Sequence, residues 1–224
     1  MRIIDLTMPI ITDHVRWPAE RTIKGDVAAG DLFQVTSVRL SCHSFTHVDA
    51  RRHYFADGDT IEMTPLDAVV GHAAVVDLMD ARPNEPITPQ RLAARFDHVV
   101  TGDKIVFKTG WAEQRSFRTR EFWTESPYLT REAALFLRDR GVTAIAYDFP
   151  QDWCIRLSLK GEKRPLADHV THDVLLRAGV HMIEYLVNTA AITAPRVLLS
   201  AAPIKIPGAD GAPARVYAIE GLAG

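Results

Sequence analysis

The sequence predicts an α/β fold, with a mixed β-sheet core and flanking helices in a single domain over residues 1–224. Short apolar runs rich in valine and isoleucine recur along the chain, which is typical of strands. Segments with helix-capping residues lie between some of these runs. No repeat or long linker divides the 224 residues, and this length can bury one sizeable core.

Six segments are predicted as strands. Residues 33–40 alternate between apolar and polar side chains, as expected of a strand with one buried face. The other five segments are short and mainly apolar, and most contain β-branched residues. They cover residues 73–78, 104–108, 142–147, 180–187 and 196–200.

Two helices are predicted from their end signals. Residues 131–140 follow Thr130, a favourable N-cap, and end before a glycine. Residues 172–178 end before a glycine in the same way. A third, weaker helix is predicted over residues 89–96, and the proline-containing segment 83–89 is predicted as a surface loop.

Charge and hydropathy exclude two broad classes of function. Lys and Arg number 26 against 28 Asp and Glu, so the formal net charge is −2, whereas proteins that bind a phosphate backbone carry a basic excess. No apolar run approaches the ~18 residues of a membrane span. The N-terminal residues lack the basic and apolar regions of a secretion signal, so a cytoplasmic location is expected. Two cysteines, Cys42 and Cys154, are too few for a disulfide framework.

A cluster of histidines and one aspartate is the strongest chemical signal in the sequence. His43, His47, Asp49 and His53 are separated by 4, 2 and 4 positions, and on an extended strand even spacing places side chains on one face. Ten extended residues span ~33 Å, too far for one ion, so the chain must bend, for example into a loop near Asp49. Such histidines can be polar surface residues, but this density of imidazole and carboxylate favours a site for Zn, Mn or Fe.

A second constellation lies downstream. Glu184 is embedded in the apolar segment 180–187, with no Lys or Arg within six residues. A carboxylate on such a face is costly unless it is paired or binds an ion, and an exposed strand edge is the alternative. His169 or His172 can approach the same point, and chemistry alone does not choose between them. Four histidines without such companions are predicted as surface or loop residues: His14, His72, His98 and His181.

The cluster and its surroundings resemble a known family. Residues 43–53, HSFTHVDARRH, resemble the motif HxGTHxDxPxH of the cyclase-type metal-dependent hydrolases, which include bacterial kynurenine formamidase and isatin hydrolase. The resemblance extends over nearly the whole chain and implies a fold of the swivelling β/β/α type. Its other segments are residues 5–7 with Trp17 and Pro18, 109–111, 127–148, and the pattern HxxLL…GV…E at 172–184.

The resemblance implies five metal ligands. His43, His47 and Asp49 match the ligands of a first ion. Asp49, His172 and Glu184 match a second site, with the two carboxylates bridging, so the comparison selects His172 from the two downstream histidines. The expected cofactor is Zn²⁺ or Mn²⁺, with one or two ions per chain.

Four further residues are implicated in catalysis or substrate binding. His53 matches the family's catalytic acid/base, a role that suits a pKa near neutrality, although its chemistry also permits a fifth metal ligand. Trp17 matches a residue that lines the substrate pocket. Phe45 replaces the motif glycine and adds bulk beside the metal unless it points away. Arg51 replaces the motif proline and can either clamp a substrate carboxylate or form a surface ion pair.

The implied function is hydrolysis of an amide or cyclic amide by a metal-activated hydroxide, with His53 as the acid/base. A lactone hydrolase needs the same groups, so the sequence does not separate the two. A metal-stabilised binding protein without turnover is a third alternative, which His53 and the absence of a cysteine-rich site disfavour. The expected partners are a small-molecule substrate and further copies of the chain in a homodimer or tetramer, with no nucleic acid and no membrane. The segment 204–218 is expected to contribute to the site or to a subunit contact.

Overall fold

The computed structural model describes residues 1–221. Its strands are β1 (Arg2–Asp5), β2 (Glu20–Gly25), β3 (Val35–Arg39), β4 (His47–Asp49), β5 (Val70–Asp77), β6 (Pro86–Ile87), β7 (Lys104–Lys108), β8 (Tyr128–Leu129), β9 (Ala144–Ala146), β10 (His181–Glu184), β11 (Arg196–Ser200), β12 (Gly211–Pro213) and β13 (Tyr217–Glu220). Its α-helices are α1 (Leu66–Val69), α2 (Pro89–Ala93), α3 (Trp111–Gln114), α4 (Arg120–Thr124), α5 (Arg131–Asp139) and α6 (Ile155–Ser158). None of the helices in this range is long and apolar enough to cross a membrane.

Nine of the strands form one mixed sheet in the order β1-β13-β11-β5-β7-β9-β10-β4-β12. The central strands β5, β7, β9 and β10 run parallel, and the other neighbours are antiparallel. The sheet curls, and a bridge between Thr7 and Leu186 joins the segment after β1 to the segment after β10. Strands from both ends of the described chain therefore belong to the same sheet.

Both faces of this sheet are buried, against two separate hydrophobic clusters. The cluster that includes helix side chains is called the outer cluster here. Ala74 and Val76 of β5 belong to it, together with side chains from α2 to α6. Ala73 and Val75 face the inner cluster, which is built mainly from the strands of the curled sheet. Burial on both faces explains why the central strands are continuous apolar runs in the sequence.

The predicted fold class is confirmed, because the structure has a large mixed sheet with a few flanking helices. Each of the five apolar runs overlaps a strand of the main sheet. Helix α5 begins after Thr130, whose Oγ1 accepts a hydrogen bond from the Ala133 N–H at 3.2 Å. Helix α2 covers the first part of the predicted helix 89–96. The predicted helix 172–178 forms as a π-helical segment, His172–Leu176.

Two predicted segments differ from the structure. Strand β3 lies within residues 33–40 but pairs only with β2, in a separate hairpin. Phe33 and Val38 are 62% and 50% exposed, so the alternating pattern does not mark a core strand here. The segment 83–89 is not only a loop, because Pro86–Ile87 form β6 and pair with β8.

Asp148 ties the ends of two central strands together. Its buried carboxylate accepts hydrogen bonds from the Thr109 N–H at 2.9 Å, the Thr109 hydroxyl at 2.8 Å and the Gly110 N–H at 2.8 Å, and also from the Thr189 hydroxyl. Burial raises the pKa of Asp148 to about 6, against the effect of these donors. The contacts fix the carboxyl ends of β7 and β9 beside β10, the strand that ends in Glu184.

Candidate metal centre

Two neighbouring strands carry the centre of the predicted site. In the antiparallel pair β4–β10, His47 lies opposite Glu184 and Asp49 lies opposite Met182. Val48, between the two predicted ligands, faces the inner cluster, so His47 and Asp49 project to the outer face. Glu184 projects to the same place, because His47 Nε2 lies 3.1 Å from an Asp49 oxygen and 3.6 Å from a Glu184 oxygen.

His43 joins these residues through a turn before β4. Its Nδ1 lies 2.8 Å from Asp49 Oδ1. Phe45, in the turn, has φ = 60°, in the left-handed region, and this conformation reverses the chain direction. The expected bend therefore occurs before His47 as well as after Asp49, and even spacing accounts only for the shared face of these two residues.

The structure also places His172 in the cluster. Its Nε2 lies 3.4 Å from Asp49 Oδ2 and 3.4 Å from Glu184 Oε1. His169 Nδ1 instead forms a hydrogen bond with the Tyr54 hydroxyl at 2.8 Å. Of the two histidines that chemistry alone left open, His172 is the one beside both carboxylates.

Each carboxylate faces histidines on two sides. Asp49 directs Oδ1 towards His43 and His47 and Oδ2 towards His172. Glu184 directs Oε2 towards His47 and Oε1 towards His172. Both carboxylates therefore span the gap between the upstream histidines and the downstream histidine, as the expected bridging ligands must.

The donor set fits a divalent metal ion. His47 Nε2 and Asp49 Oδ2 are buried and have no hydrogen-bond partner among residues 1–221, which is unusual for buried polar atoms. Imidazole nitrogens and carboxylate oxygens are separated by 3.1–3.6 Å, close to the distance of about 3.4 Å between two ligands of a tetrahedral zinc ion. Three groups have donor atoms within 4.8 Å of one another: His47, Asp49 and Glu184; His43, Asp49 and His53; and Asp152, His169 and His172.

The charges of this cluster depend on one another. Burial raises the pKa of Asp49, but the neighbouring imidazoles of His172, His43 and His47 outweigh it and hold this pKa well below its usual value. Burial lowers the pKa of His43, but Asp49 and Asp210 raise it more, to about 9. Protonated imidazoles thus compensate the carboxylates, and because a metal ion needs neutral imidazole, its binding would release protons.

Buried groups hold the candidate ligands in orientation. His47 Nδ1 donates to a backbone carbonyl oxygen at 2.8 Å, and His172 Nδ1 donates to Asp152 Oδ2 at 2.7 Å. Both histidines therefore present Nε2 to the cluster, an arrangement common among metal-binding histidines. Gln151 donates from Nε2 to Glu184 Oε1. No motif marks Asp152, because its role depends on a contact with a residue 20 positions away.

His53 lies at the edge of the cluster, where its ring stacks on that of His43 with 3.6 Å between centroids. Burial and the positive charges of His43 and His172 lower the pKa of His53 to about 4, so its ring is neutral at pH 7 and can accept a proton. Its Nδ1 lies 3.7 Å from Asp210 Oδ2. The segment 204–218 thus reaches the site through Asp210, which no motif predicted. Because His53 also belongs to one of the donor groups, its position permits either a catalytic or a ligating role.

A cleft of about 220 Å³ opens beside the cluster. His43, His53, His172 and Glu184 line its polar end, and Trp17 lies in its wall. The residues that line the rest of this cleft include Arg16, Tyr54, Ile155, Ser158, Glu162, Arg164 and Tyr185. The predicted ligands, acid/base and pocket tryptophan are thus brought together at one opening.

Two other predicted substrate residues do not line the cleft. The left-handed backbone at Phe45 turns its side chain into the core, where the ring lies 5.9 Å from that of Trp17. Arg51 lies in the 3₁₀-helix after β4, with its guanidinium 5.9 Å from the Phe55 ring centroid. It lines a different pocket together with Asp59. Neither Phe45 nor Arg51 is therefore part of the proposed substrate site.

His14 lies in a loop, one of the two places that the sequence predicted, but it is buried and not at the surface. Its side chain is inaccessible because the ring stacks on Trp17, with 5.3 Å between centroids. Its Nε2 lies 3.0 Å from the Phe117 carbonyl oxygen, and its Nδ1 accepts hydrogen bonds from the Arg16 and Trp17 N–H groups at 3.2 Å. His14 therefore fixes the loop that forms the cleft wall, and no companion nearby in the sequence signals this role.

Comparison with a family model decides the identity of the fold. A model described as a putative cyclase matches residues 4–151, more than half of the chain. The chain belongs to the cyclase family. The resemblance to cyclase-type hydrolases that the sequence motifs carry is therefore confirmed.

Individual cyclase-family relatives agree over almost the full length. The kynurenine formamidase of Salinibacter ruber (strain DSM 13855 / M31) is 27% identical over 221 residues, covering 96% of this chain and 96% of the relative. A solved structure of a potential metal-dependent hydrolase with cyclase activity is 27% identical, with a TM-score of 0.74 over 97% of this chain and 96% of that one. Isatin hydrolase A from Labrenzia aggregata shares the fold, with a TM-score of 0.79 at 22% identity over 97% and 93% of the chains.

These relatives confirm two predictions from the sequence. The chain is an enzyme of the class that hydrolyses C–N bonds other than peptide bonds, in agreement with its kynurenine formamidase relatives. Together with the buried donor set, the cyclase-family membership indicates a divalent metal ion as cofactor.

We expect Asp152→Asn to weaken metal binding by about 10- to 100-fold, because an amide accepts the His172 Nδ1–H less well and can turn its own N–H towards the ring. A competition titration with a chelating dye measures the affinity. Asp168→Asn is the control, since Asp168 pairs with Arg164 at the surface, at 2.7 Å. Equal affinity in wild type and Asp152→Asn would show that this carboxylate does not orient the ligand.

Proposed function

We propose that this cyclase-family enzyme hydrolyses the amide bond of an aryl formamide or of a cyclic aryl amide. The observation that carries the proposal is the position of His53, which stacks on the candidate ligand His43 and lines an open cleft with an aromatic wall. The relatives named kynurenine formamidase and isatin hydrolase act on substrates of these two kinds. Their names support the substrate class, and the cleft supports its planar shape.

The proposed cofactor is Zn²⁺ or Mn²⁺, held by His43, His47, Asp49, His172 and Glu184. When bound, such an ion supplies a hydroxide near neutral pH and polarises a substrate carbonyl. We favour two ions per chain, because the two oxygens of each carboxylate face different histidines. Asp49 and Glu184 would then bridge the two positions.

Residues around the cleft divide the remaining work. His53 accepts a proton at a ring nitrogen from the attacking water and returns it to the leaving nitrogen, since a neutral imidazole can do both. Trp17 contributes an aromatic side chain to the wall beside which the planar ring of the substrate would lie. Tyr54 stays protonated because burial raises its pKa, and it therefore keeps a hydroxyl donor beside the site.

We also propose that the chain forms a homo-oligomer, at least a dimer. Large apolar side chains are concentrated and exposed on the β2–β3 hairpin: Ile23 is 49% exposed, Leu32 93%, Phe33 62% and Val38 50%. Exposed apolar patches of this kind commonly mark protein interfaces. A cytoplasmic location and the absence of nucleic-acid and membrane partners remain predictions from the sequence.

We expect Leu32→Asp to shift the protein to a smaller species in sedimentation velocity, because a charge on the hairpin opposes apolar association. Circular dichroism checks that the fold is retained. Met63→Asp is the matched control, since Met63 is also exposed, at 61%, but lies outside the hairpin. A wild-type protein that sediments as a monomer at micromolar concentration would contradict the proposed assembly.

We expect His53→Ala to lose at least 100-fold in kcat on N-formylkynurenine and isatin, the typical loss for a general acid/base, and to keep its metal content. Absorbance assays measure turnover, and elemental analysis measures the ion. His72→Ala, which removes an exposed histidine on β5, is the control.

The two readouts separate the possible roles of His53. Loss of metal together with activity would make it a ligand. Chelator-sensitive hydrolysis of lactones, with neither amide turned over, would move the substrate class to esters. Metal-loaded protein that hydrolyses no amide or lactone would contradict the proposed function.

A further inference from the structure

We propose that Arg16 is a substrate-binding residue that takes a carboxylate of the substrate. The substrate would then be an aryl amide that carries a carboxylate some distance from the bond to be cleaved. This inference rests on the proposed hydrolase function, because it concerns the same cleft. It differs from the sequence-based expectation, which considered Arg51 either for the carboxylate-binding role or for a surface ion pair.

The Arg16 guanidinium is held between two aromatic rings in the cleft wall. Its Cζ lies 5.0 Å from the ring centroid of Trp17 and 5.0 Å from that of Trp123. Its Nη1 donates to the Ile155 carbonyl oxygen at 3.4 Å and to the Ser158 hydroxyl, both in helix α6. These contacts fix the orientation of the group before any ligand binds.

The remaining edge of this guanidinium has no protein acceptor. Nε is buried and lacks a hydrogen-bond partner within residues 1–221. Among the hydrogen bonds of the same residues, only Nη1 of the guanidinium donates. The N–H groups on Nε and Nη2 point in parallel, which is the geometry that binds a carboxylate through two hydrogen bonds.

The positive charge of Arg16 is not neutralised by the protein. Of the two carboxylates that line the cleft, Glu184 faces His47 and His172, and Glu162 is exposed. His14, whose Nδ1 accepts a hydrogen bond from the Arg16 N–H, adds no further positive charge, because burial lowers its pKa. A half-buried, unpaired cation among aromatic rings is costly, and an anionic ligand removes that cost.

The position of Arg16 suits a substrate that reaches the metal ligands at its other end. The Trp17 ring lies 5.1 Å from that of Tyr185, and the Tyr185 ring lies 5.5 Å from that of His47. Two aromatic side chains thus connect the guanidinium to the metal cluster. A planar substrate lying in the cleft beside these rings would place its amide by His53 and its carboxylate by Arg16.

Arg164 is the other arginine of the cleft and serves as the comparison. Its guanidinium is exposed and already forms an ion pair with Asp168. Solvent and an existing counter-ion reduce what such a group gains from a second carboxylate. The geometry therefore favours Arg16 as the anion-binding group.

The test compares N-formylkynurenine with its neutral carboxamide analogue in wild type, Arg16→Gln, Arg16→Lys and Arg164→Gln. We expect Arg16→Gln to lower kcat/KM for the carboxylate substrate by about 10- to 100-fold, the range for a charge-assisted hydrogen bond, mostly through KM. The carboxamide should change less than about 2-fold. Arg16→Lys should recover part of the loss, since it keeps the charge but not the fork, and Arg164→Gln should match wild type.

Other outcomes overturn the proposal in distinct ways. Equal losses on both compounds in Arg16→Gln would make Arg16 only a structural tether between the cleft loop and α6. The selective loss in Arg164→Gln instead would transfer the role to Arg164. If wild type hydrolyses neither compound, a tryptophan fluorescence titration with N-formylkynurenine tests the anion site by itself. Weaker binding in Arg16→Gln than in wild type would support the anion site, although the proposed hydrolysis would have failed. Equal binding in the two proteins, or no binding, would overturn the anion site.

Discussion

The site depends on two carboxylates buried side by side on adjacent strands. Asp49 and Glu184 are 1% and 3% exposed, and the charge of Asp49 acts to raise the pKa of Glu184. Like charges repel strongly where water is excluded, so the pair requires cations around it. His43 and His172, whose pKa values are raised, meet part of this requirement, and a divalent ion meets it in full. The antiparallel register of β4 and β10 brings the two carboxylates together, and the rest of the sheet keeps that register in place.

The backbone beside this pair is strained, and aromatic packing offsets the strain. Phe45 and Tyr185 have φ angles of 60° and 61°, and such conformations cost about 1–3 kcal/mol each outside glycine. Both rings are buried against Trp17, at 5.9 and 5.1 Å. The same tryptophan lines the cleft. One aromatic cluster therefore holds the metal-ligand strands and forms the wall along which we expect the substrate to lie, with Arg16 at its end.

Local patterns in the sequence predicted the parts of this molecule that depend on neighbours along the chain. The central strands are apolar because both their faces are covered, and the shared face of His47 and Asp49 follows from a spacing of two. Family motifs, not spacing, selected His172. Asp152, Asp210 and Arg16 could not be predicted, because their roles arise from contacts between distant segments. A local pattern was misleading in the β2–β3 hairpin. Its alternation of apolar and polar residues resembles that of a core strand, but the hairpin lies outside the main sheet.

The central claim is that the buried histidine–carboxylate cluster is a metal centre, and elemental analysis of the purified protein tests it most directly. Wild type should carry one or two equivalents of a divalent ion, and Glu184→Gln should lose at least half of it. Glu62→Gln is the control and should match wild type. Glu62 lies outside the histidine–carboxylate cluster, and its side chain accepts a hydrogen bond from the Gly208 N–H. Wild-type protein without metal that also fails to bind added Zn²⁺ or Mn²⁺ would contradict the account, because the buried carboxylates would then be stabilised by protonated histidines alone.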